Sequence, residues 1–153
     1  MTGFGVIETD GQRSRHVGSG CIATTATAFP ARLGEIEAAL DDVVVDHSPL
    51  EVAVEQVFMA KNASSALKLG QARGAAIAVV VNAGLPVFEY PPRSVKQAIV
   101  GKGGADKVQV AHMVKVLLNL RDKLSPDQAD ALAVALCHAH ESAGRARLAG
   151  GHR

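Results

Sequence analysis

The sequence predicts a single α/β domain in which helices flank a mixed β-sheet on both faces. Two observations lead to this prediction: β-patterned segments stand first in the chain, and helical and β-branched segments then alternate towards the C-terminus. The chain has 153 residues, 48% of them hydrophobic, which is enough for one compact core. We predict a domain at residues 1–141 and a disordered tail, rich in Gly, Arg and Ala, at residues 142–153.

A β-hairpin is predicted at the start of the chain. Phe4 and Val6 alternate with small or polar residues over residues 2–8. Thr9-Asp10-Gly11 is a turn signal, and a second strand is predicted near residues 16–23.

The middle of the chain alternates between helical and β patterns. Apolar residues at helical spacing predict a helix from Ala31 that ends before Ser48. The short β-branched run from Glu51 to Phe58 is typical of an interior strand. A helix rich in Ala and Leu follows at residues 64–84, and beyond Gly74 its apolar residues nearly encircle the axis. Such a helix is buried either in the core of a monomer or against a partner, and the pattern alone leaves both open.

The second half continues with a strand, two helices and a final helix. The strand is predicted at residues 86–90, and the helices at residues 92–100 and 106–120. In the second of these helices the residues expected to face the core are Val108, Val110, Met113, Val114 and Leu117. The final helix has the clearest start signal: Ser125 and Gln128 form a Ser-x-x-Gln capping box before a run that reaches His140.

Three carboxylates are candidate metal ligands. Asp127 and Asp130 lie three residues apart, so both project from one face of the final helix, although Asp is also common in first turns for dipole reasons alone. Glu55 interrupts an apolar strand, where an inward carboxylate is costly without a partner; an outward side chain is the alternative. Oxygen ligands suit Mg²⁺, and two such ions would stabilise the attacking and leaving oxygens of phosphodiester hydrolysis.

Composition narrows the function classes. Residues 61–123 carry ten Lys or Arg against three acidic residues, as expected of a phosphate-contacting face or of an ordinary lysine-rich surface.

Cys21 and Cys137 are unpatterned and no secretory leader precedes them, which favours reduced thiols in a cytoplasmic protein. The longest apolar stretch, residues 74–85, is too short to cross a membrane.

Four segments, in order and at compatible spacing, resemble the RuvC crossover-junction endodeoxyribonucleases. They are EQVFMAKN at residues 55–62, SALKLGQARG at 65–74, VKQ at 95–97, and Asp127-x-x-Asp130 followed by Ala-Leu-Ala. The likeness extends from Thr2 to His140. It implies a ribonuclease-H-like fold and Mg²⁺-dependent paired nicking of four-way (Holliday) DNA junctions in recombination and repair. The partners it implies are a second copy of the chain, bound through the helix after Ser64, and a branch-migration motor of the RuvA and RuvB type.

The same resemblance assigns roles to residues. Glu55, Asp127 and Asp130 resemble the second, third and fourth metal-binding carboxylates of the family, which hold two Mg²⁺ per active site. Lys96 and Lys107 resemble its basic residues near the scissile phosphate, with Lys107 in the catalytic set. Phe58 resembles the aromatic residue that engages unpaired bases at the crossover. The predicted DNA contacts are Phe58, Lys61, Lys68, Arg73, Lys96 and Lys107.

One departure from the family pattern concerns the first strand. Family members begin with a strand of the type Leu-Gly-Ile-Asp-Pro-Gly, whose Asp is the first metal ligand, and this chain starts at the position just after it. We therefore expect the first strand and its carboxylate to be missing, since Asp10 lies in the hairpin turn, at the wrong end of the strand. A catalytically impaired junction-binding module, or a fragment, is then the alternative to an active nuclease.

Overall fold

The computed structural model describes residues 1–56 and 62–150, without the side chains of residues 149 and 150. Within these ranges the chain forms the following elements, in order: β1 (Thr2–Thr9), β2 (Ser14–Ile22), α1 (Phe29–His47), β3 (Val52–Glu55), α2 (Ala63–Asn82), β4 (Val87–Tyr90), α3 (Pro92–Val100), α4 (Lys107–Leu117) and α5 (Pro126–Gly150). The predicted order of strands and helices is confirmed. Phe58 and Lys61, both predicted DNA contacts, lie outside the described residues.

β1 and β2 form the predicted hairpin. They pair antiparallel, from Thr2 opposite Ile22 to Thr9 opposite Ser14, with one irregularity in register after Val6. The turn is fixed by the Asp10 carboxylate, which accepts hydrogen bonds from the two backbone amides that follow Gly11, at 2.8 and 2.7 Å. Gly11 itself has a φ of 92°, a conformation that favours glycine.

The α/β class is confirmed, but hydrogen bonding divides the sheet. β3 and β4 pair in parallel, with Val52 opposite Val87 and Glu55 opposite Tyr90. In the described residues the strands form two separate two-stranded sheets, β1–β2 and β3–β4, rather than one mixed sheet. A groove of about 1240 Å³ separates them, lined along its length by β1 and β3 and closed by residues of α1, α2 and α5. In the described residues β1 and β3 therefore each pair along one edge, and both strands line the groove.

The fold is organised around α5, which packs against both sheets and against α3 and α4. Leu132 and Cys137 of α5, together with Val114 of α4, are the largest fully buried side chains. β1 lies directly on the first turns of α5. A Cβ atom at Gly3 would come within 2.2 Å of the Asp127 carbonyl oxygen, and one at Gly5 within 2.7 Å of Leu132 Cδ2. Glycine is therefore required where the strand crosses the helix.

Two predictions about the helices are corrected. In α4 the buried residues are Val110 and Val114, whereas Val108 is 79% exposed and Leu117 also faces solvent. The buried stripe follows i, i+4 spacing, and Val108 lies two residues from it, on the opposite side of the helix. The final helix does not end near His140 but continues to Gly150, since Ala, Arg and Leu are strong helix formers and no proline interrupts the run. The division into a domain at residues 1–141 and a disordered tail stays a prediction.

In the part of the chain that is described, no helix combines the length and the apolar character needed to cross a bilayer.

Candidate active site

A cleft of about 190 Å³ brings together two of the predicted carboxylates. Glu55 ends β3, and Asp130 lies in the second turn of α5. The residues that line the cleft are Glu55, Pro92, Val95, Lys96, Lys107, Val110, Asp130 and Ala133. Two acidic and two basic side chains thus converge from β3, α3, α4 and α5.

Strand register explains why Glu55 points into this cleft. Glu55 is paired with Tyr90 of β4, and residues paired across a sheet project from the same face. The Tyr90 side chain is buried against α5, where its hydroxyl contacts His138. Glu55 therefore faces α5, which is the inward position that the sequence left open.

The charges of the cleft act on Glu55 in opposite directions. Burial is the main reason why the pKa of Glu55 is raised above its ordinary value of 4.5, and the negative charge of Asp130 raises it further. The ammonium groups of Lys107 and Lys96 counteract part of this effect. The site is thus a pair of repelling carboxylates that is only partly neutralised by lysine.

Lys107 and Lys96 occupy different depths. Lys107 Nζ lies 3.6 Å from Asp130 Oδ2, and its side chain is 80% exposed, so it stands at the mouth of the cleft. Such an exposed ion pair contributes little to stability. Lys96 is partly buried in the cleft wall formed by α3. Lys107 is therefore available to an approaching phosphate, whereas Lys96 is less accessible from solvent.

Asp127 is not part of this cleft. It is one helical turn before Asp130, which corresponds to a rise of about 4.5 Å along the axis, and its backbone is covered by Gly3 of β1. Among the described residues no group of three or more His, Cys, Asp or Glu side chains is close enough to hold a metal ion. The structure therefore brings Glu55 and Asp130 together, but not the predicted trio.

Capping boxes fix the helix starts that carry Lys107 and the two aspartates. The predicted box of α5 is confirmed: the Gln128 backbone N–H donates to Ser125 Oγ at 3.2 Å, and the Ser125 backbone N–H donates to Gln128 Oε1 at 3.0 Å. A second box, which the sequence analysis missed, joins Asp106 and Gln109 at the start of α4. The Asp-x-x-Gln spacing before an apolar run was its signal. It holds Lys107, the first residue of α4, at the edge of the cleft.

The two predicted DNA contacts on α2 have different environments. Lys68 is exposed. Arg73 donates from Nε to the Glu55 carbonyl oxygen at 3.2 Å and forms an ion pair with Glu89. The Arg73 guanidinium is thus bound to two groups of the protein, the Glu55 carbonyl oxygen and the Glu89 carboxylate.

A partly buried polar network beside the groove between the two sheets was also missed from the sequence. Tyr90 Oη lies 2.6 Å from His138 Nδ1, and His138 Nε2 lies 2.5 Å from a Glu51 carboxylate oxygen. The Phe88 ring packs against the same imidazole, with 4.5 Å between ring centroids. The network joins the start of β3 and the end of β4 to α5. The lone tyrosine of the chain, placed at the end of a strand, was the available signal.

The donor set suits a hard divalent cation. Glu55 and Asp130 offer carboxylate oxygens, and mutual repulsion at close range is relieved when a cation lies between them. Mg²⁺ characteristically binds through one or two carboxylates and completes its shell with water and substrate phosphate oxygens. The residues present therefore fit such a cation, with a neighbouring lysine to neutralise phosphate charge.

Comparison with known proteins identifies the family. The family model of the crossover junction endodeoxyribonuclease RuvC matches residues 1–138. A protein of that name from Vibrio parahaemolyticus is 54% identical over 150 residues, which cover 98% of this chain and 87% of that protein.

Solved structures agree. Thermus thermophilus RuvC superposes with a TM-score of 0.81 at 36% identity, over 92% of this chain and 87% of that one. The T. thermophilus RuvC structure in complex with a Holliday junction substrate gives a TM-score of 0.86 at 36% identity, over 93% and 88% of the two chains. The ribonuclease-H-like fold implied by the sequence is thereby confirmed, and this chain belongs to the RuvC family of crossover junction endodeoxyribonucleases.

Proposed function

We propose that this chain is a metal-dependent endonuclease that resolves four-way DNA junctions by paired, symmetric nicks during recombination and repair. Its family consists of nucleases that hydrolyse phosphodiester bonds, and membership implies a divalent metal. The observation that carries the proposal is the convergence of Glu55 and Asp130 in one cleft with Lys96 and Lys107. These are the groups needed to hold a cation and to neutralise a phosphate.

Mg²⁺ is the proposed metal, with two ions per active site. Glu55 and Asp130 would hold the metal in the cleft. Asp127, which lies outside the cleft one turn earlier on α5, is the proposed third ligand on the family resemblance alone. When bound, the metal supplies a water of lowered pKa and neutralises charge on the phosphate oxygens.

The lysines have separate proposed tasks. Lys107 is the proposed catalytic lysine: exposed at the mouth of the cleft and paired with Asp130, it neutralises the charge that develops on the scissile phosphate. Lys96, partly buried in the cleft wall, lowers the electrostatic penalty of holding Glu55 ionised. Both effects favour an anionic substrate in a site that already carries two carboxylates.

The wider DNA surface remains a proposal. Lys68, Lys96 and Lys107 are the described lysines predicted to contact DNA, and Phe58 and Lys61 are predicted contacts outside the described residues. Binding through such residues releases counterions, so affinity should fall steeply with salt. Selectivity for four-way junctions would come from two sites in a dimer that match two strands of the junction.

A homodimer formed through α2 accounts for the apolar residues of that helix. Val79 and Val80 are buried within the chain, whereas Leu67 and Val81 are 64% and 54% exposed. A second copy packed on this surface would remove them from water.

A branch-migration motor of the RuvA and RuvB type is the proposed further partner. The cytoplasm, which holds the chromosome, is the proposed location.

The alternative of a junction-binding module without catalytic activity is not favoured, because the family and the matched relatives are named as endonucleases.

Nicking of a synthetic four-way junction by the purified 153-residue chain tests the proposal. We expect symmetric nicks in Mg²⁺, none in EDTA, and none with Asp130→Asn. Asp122→Asn, which alters an exposed carboxylate outside the cleft, serves as the matched control and should nick normally. Equal nicking by the Asp130→Asn variant would refute the assignment of the site, and junction binding without nicking by the unaltered chain would refute the proposed activity.

A further inference from the structure

Arg73 of α2 lies behind the strand that carries Glu55. Its Nε donates a hydrogen bond to the Glu55 carbonyl oxygen at 3.2 Å, and its Nη2 pairs with the Glu89 carboxylate. One guanidinium thus connects the last residue of β3 to the neighbouring strand β4. The Arg73 side chain is 28% exposed, so most of it is removed from solvent.

The guanidinium and the cleft lie on opposite faces of the β3–β4 sheet. Glu55 is paired with Tyr90 and faces α5, whereas Glu89, one residue before Tyr90, projects from the other face. Arg73 reaches Glu89 on that other face. Its contact with Glu55 is therefore made through the backbone, away from the carboxylate.

The hydrogen bond from Arg73 to the Glu55 carbonyl oxygen lies at the C-terminal end of β3. Beyond Glu55 the Gln56 backbone amide donates to the Tyr90 carbonyl oxygen at 2.8 Å. The position of the Glu55 carboxylate depends on the backbone from which it projects. Catalytic rates are sensitive to such placement, since a shift of about 1 Å can slow a reaction by about a hundredfold.

We propose that Arg73 is a positioning residue, which fixes the end of β3 and thereby holds Glu55 in the cleft, rather than the DNA contact predicted from sequence. The inference rests on the proposed nuclease function, because only there does the placement of Glu55 affect a rate. Both partners are engaged at once through the planar fork of an arginine, and a lysine ammonium does not reproduce that geometry.

Four variants separate these roles: Arg73→Lys, Arg73→Gln, Glu89→Gln and, as a matched control on the same helix, Lys68→Gln. Three quantities are measured on the full chain. They are hydrogen exchange in peptides that contain residues 52–56, junction affinity in EDTA as a function of salt, and the single-turnover nicking rate at saturating junction in Mg²⁺.

For a positioning role, both Arg73 variants should exchange faster at residues 52–56 and nick about tenfold to a hundredfold more slowly, with unchanged junction affinity and salt dependence. Glu89→Gln should have a smaller effect, because the bond to the Glu55 carbonyl remains. Lys68→Gln should leave exchange in β3 unchanged.

Two results would overturn the proposal. The first is weaker junction binding by Arg73→Gln, with a salt slope reduced by about one and near-normal behaviour of Arg73→Lys, as expected of a phosphate contact. The second is unchanged exchange at residues 52–56 in both variants. If the unaltered chain does not nick junctions, the proposed function fails, and the exchange measurement still decides whether Arg73 holds β3.

Discussion

Replacement of Gly3 by alanine should destabilise the contact between β1 and the helix that carries the aspartates. An ideal Cβ at this position lies 2.2 Å from the carbonyl oxygen of Asp127 and 2.5 Å from its carbonyl carbon. Both are backbone atoms in the first turn of α5. No side-chain rotation relieves such an overlap, so the strand or the start of the helix must move.

The expected magnitude follows from this geometry. Overpacking a well-packed core typically costs about 1–3 kcal/mol, and a clash with backbone places this variant at the upper end, about 3 kcal/mol. For a domain of this length each kcal/mol shifts the melting temperature by about 2–4 °C, so Gly3→Ala should melt about 6–12 °C below the unaltered chain.

Thermal unfolding followed by circular dichroism measures the shift. Gly34→Ala is the matched control, because Gly34 lies inside α1 and an ideal Cβ there has no neighbour within 4 Å. Alanine is favoured over glycine in a helix interior by about 0.5–1 kcal/mol, so this variant should melt slightly higher. A Gly3→Ala protein that melts at or above the unaltered chain would refute the close packing of β1 on α5.

Three further predictions concern the cleft and the core. Glu55→Gln should abolish nicking and yet, in EDTA at pH 7, increase the free energy of unfolding measured in urea. Because burial raises the pKa of Glu55 above its unfolded value, the wild-type side chain favours folding when protonated and loses that contribution as pH rises through the folded pKa. The higher free energy of unfolding of the variant should therefore vanish at about pH 4, and a difference that persists there contradicts the reasoning. Tyr90→Phe should reduce the free energy of unfolding in urea by about 1–3 kcal/mol, since the buried His138 Nδ1 loses its 2.6 Å partner; an unchanged value argues against the network. Burial raises the pKa of Cys137 to about 11, so iodoacetamide at pH 8 should label the partly exposed Cys21 alone in the folded chain, and mass spectrometry that finds two labels before denaturation would count against this core.

Local patterns in the sequence determined the elements and their ends where a terminating signal was present. The bounds of α3, residues 92–100, were predicted correctly because Pro92 fits a first helical turn and Gly101 adopts the left-handed conformation that ends it. The capping box of Ser125 and Gln128 was readable for the same reason, since both partners lie within one turn. The carboxylates, the lysines and the family were recognised from residue types and spacing, which the chain carries without its fold.

The tertiary structure decided which of these groups meet. Helical spacing places Asp127 and Asp130 on one face, but the packing of β1 and α4 around α5 determines that only Asp130 shares a cleft with Glu55. Whether Glu55 points inward depends on its pairing with Tyr90, and the engagement of Arg73 depends on the approach of α2 to β3. Such contacts join residues far apart in the chain, so they depend on strand pairing and helix packing, which a local pattern does not encode.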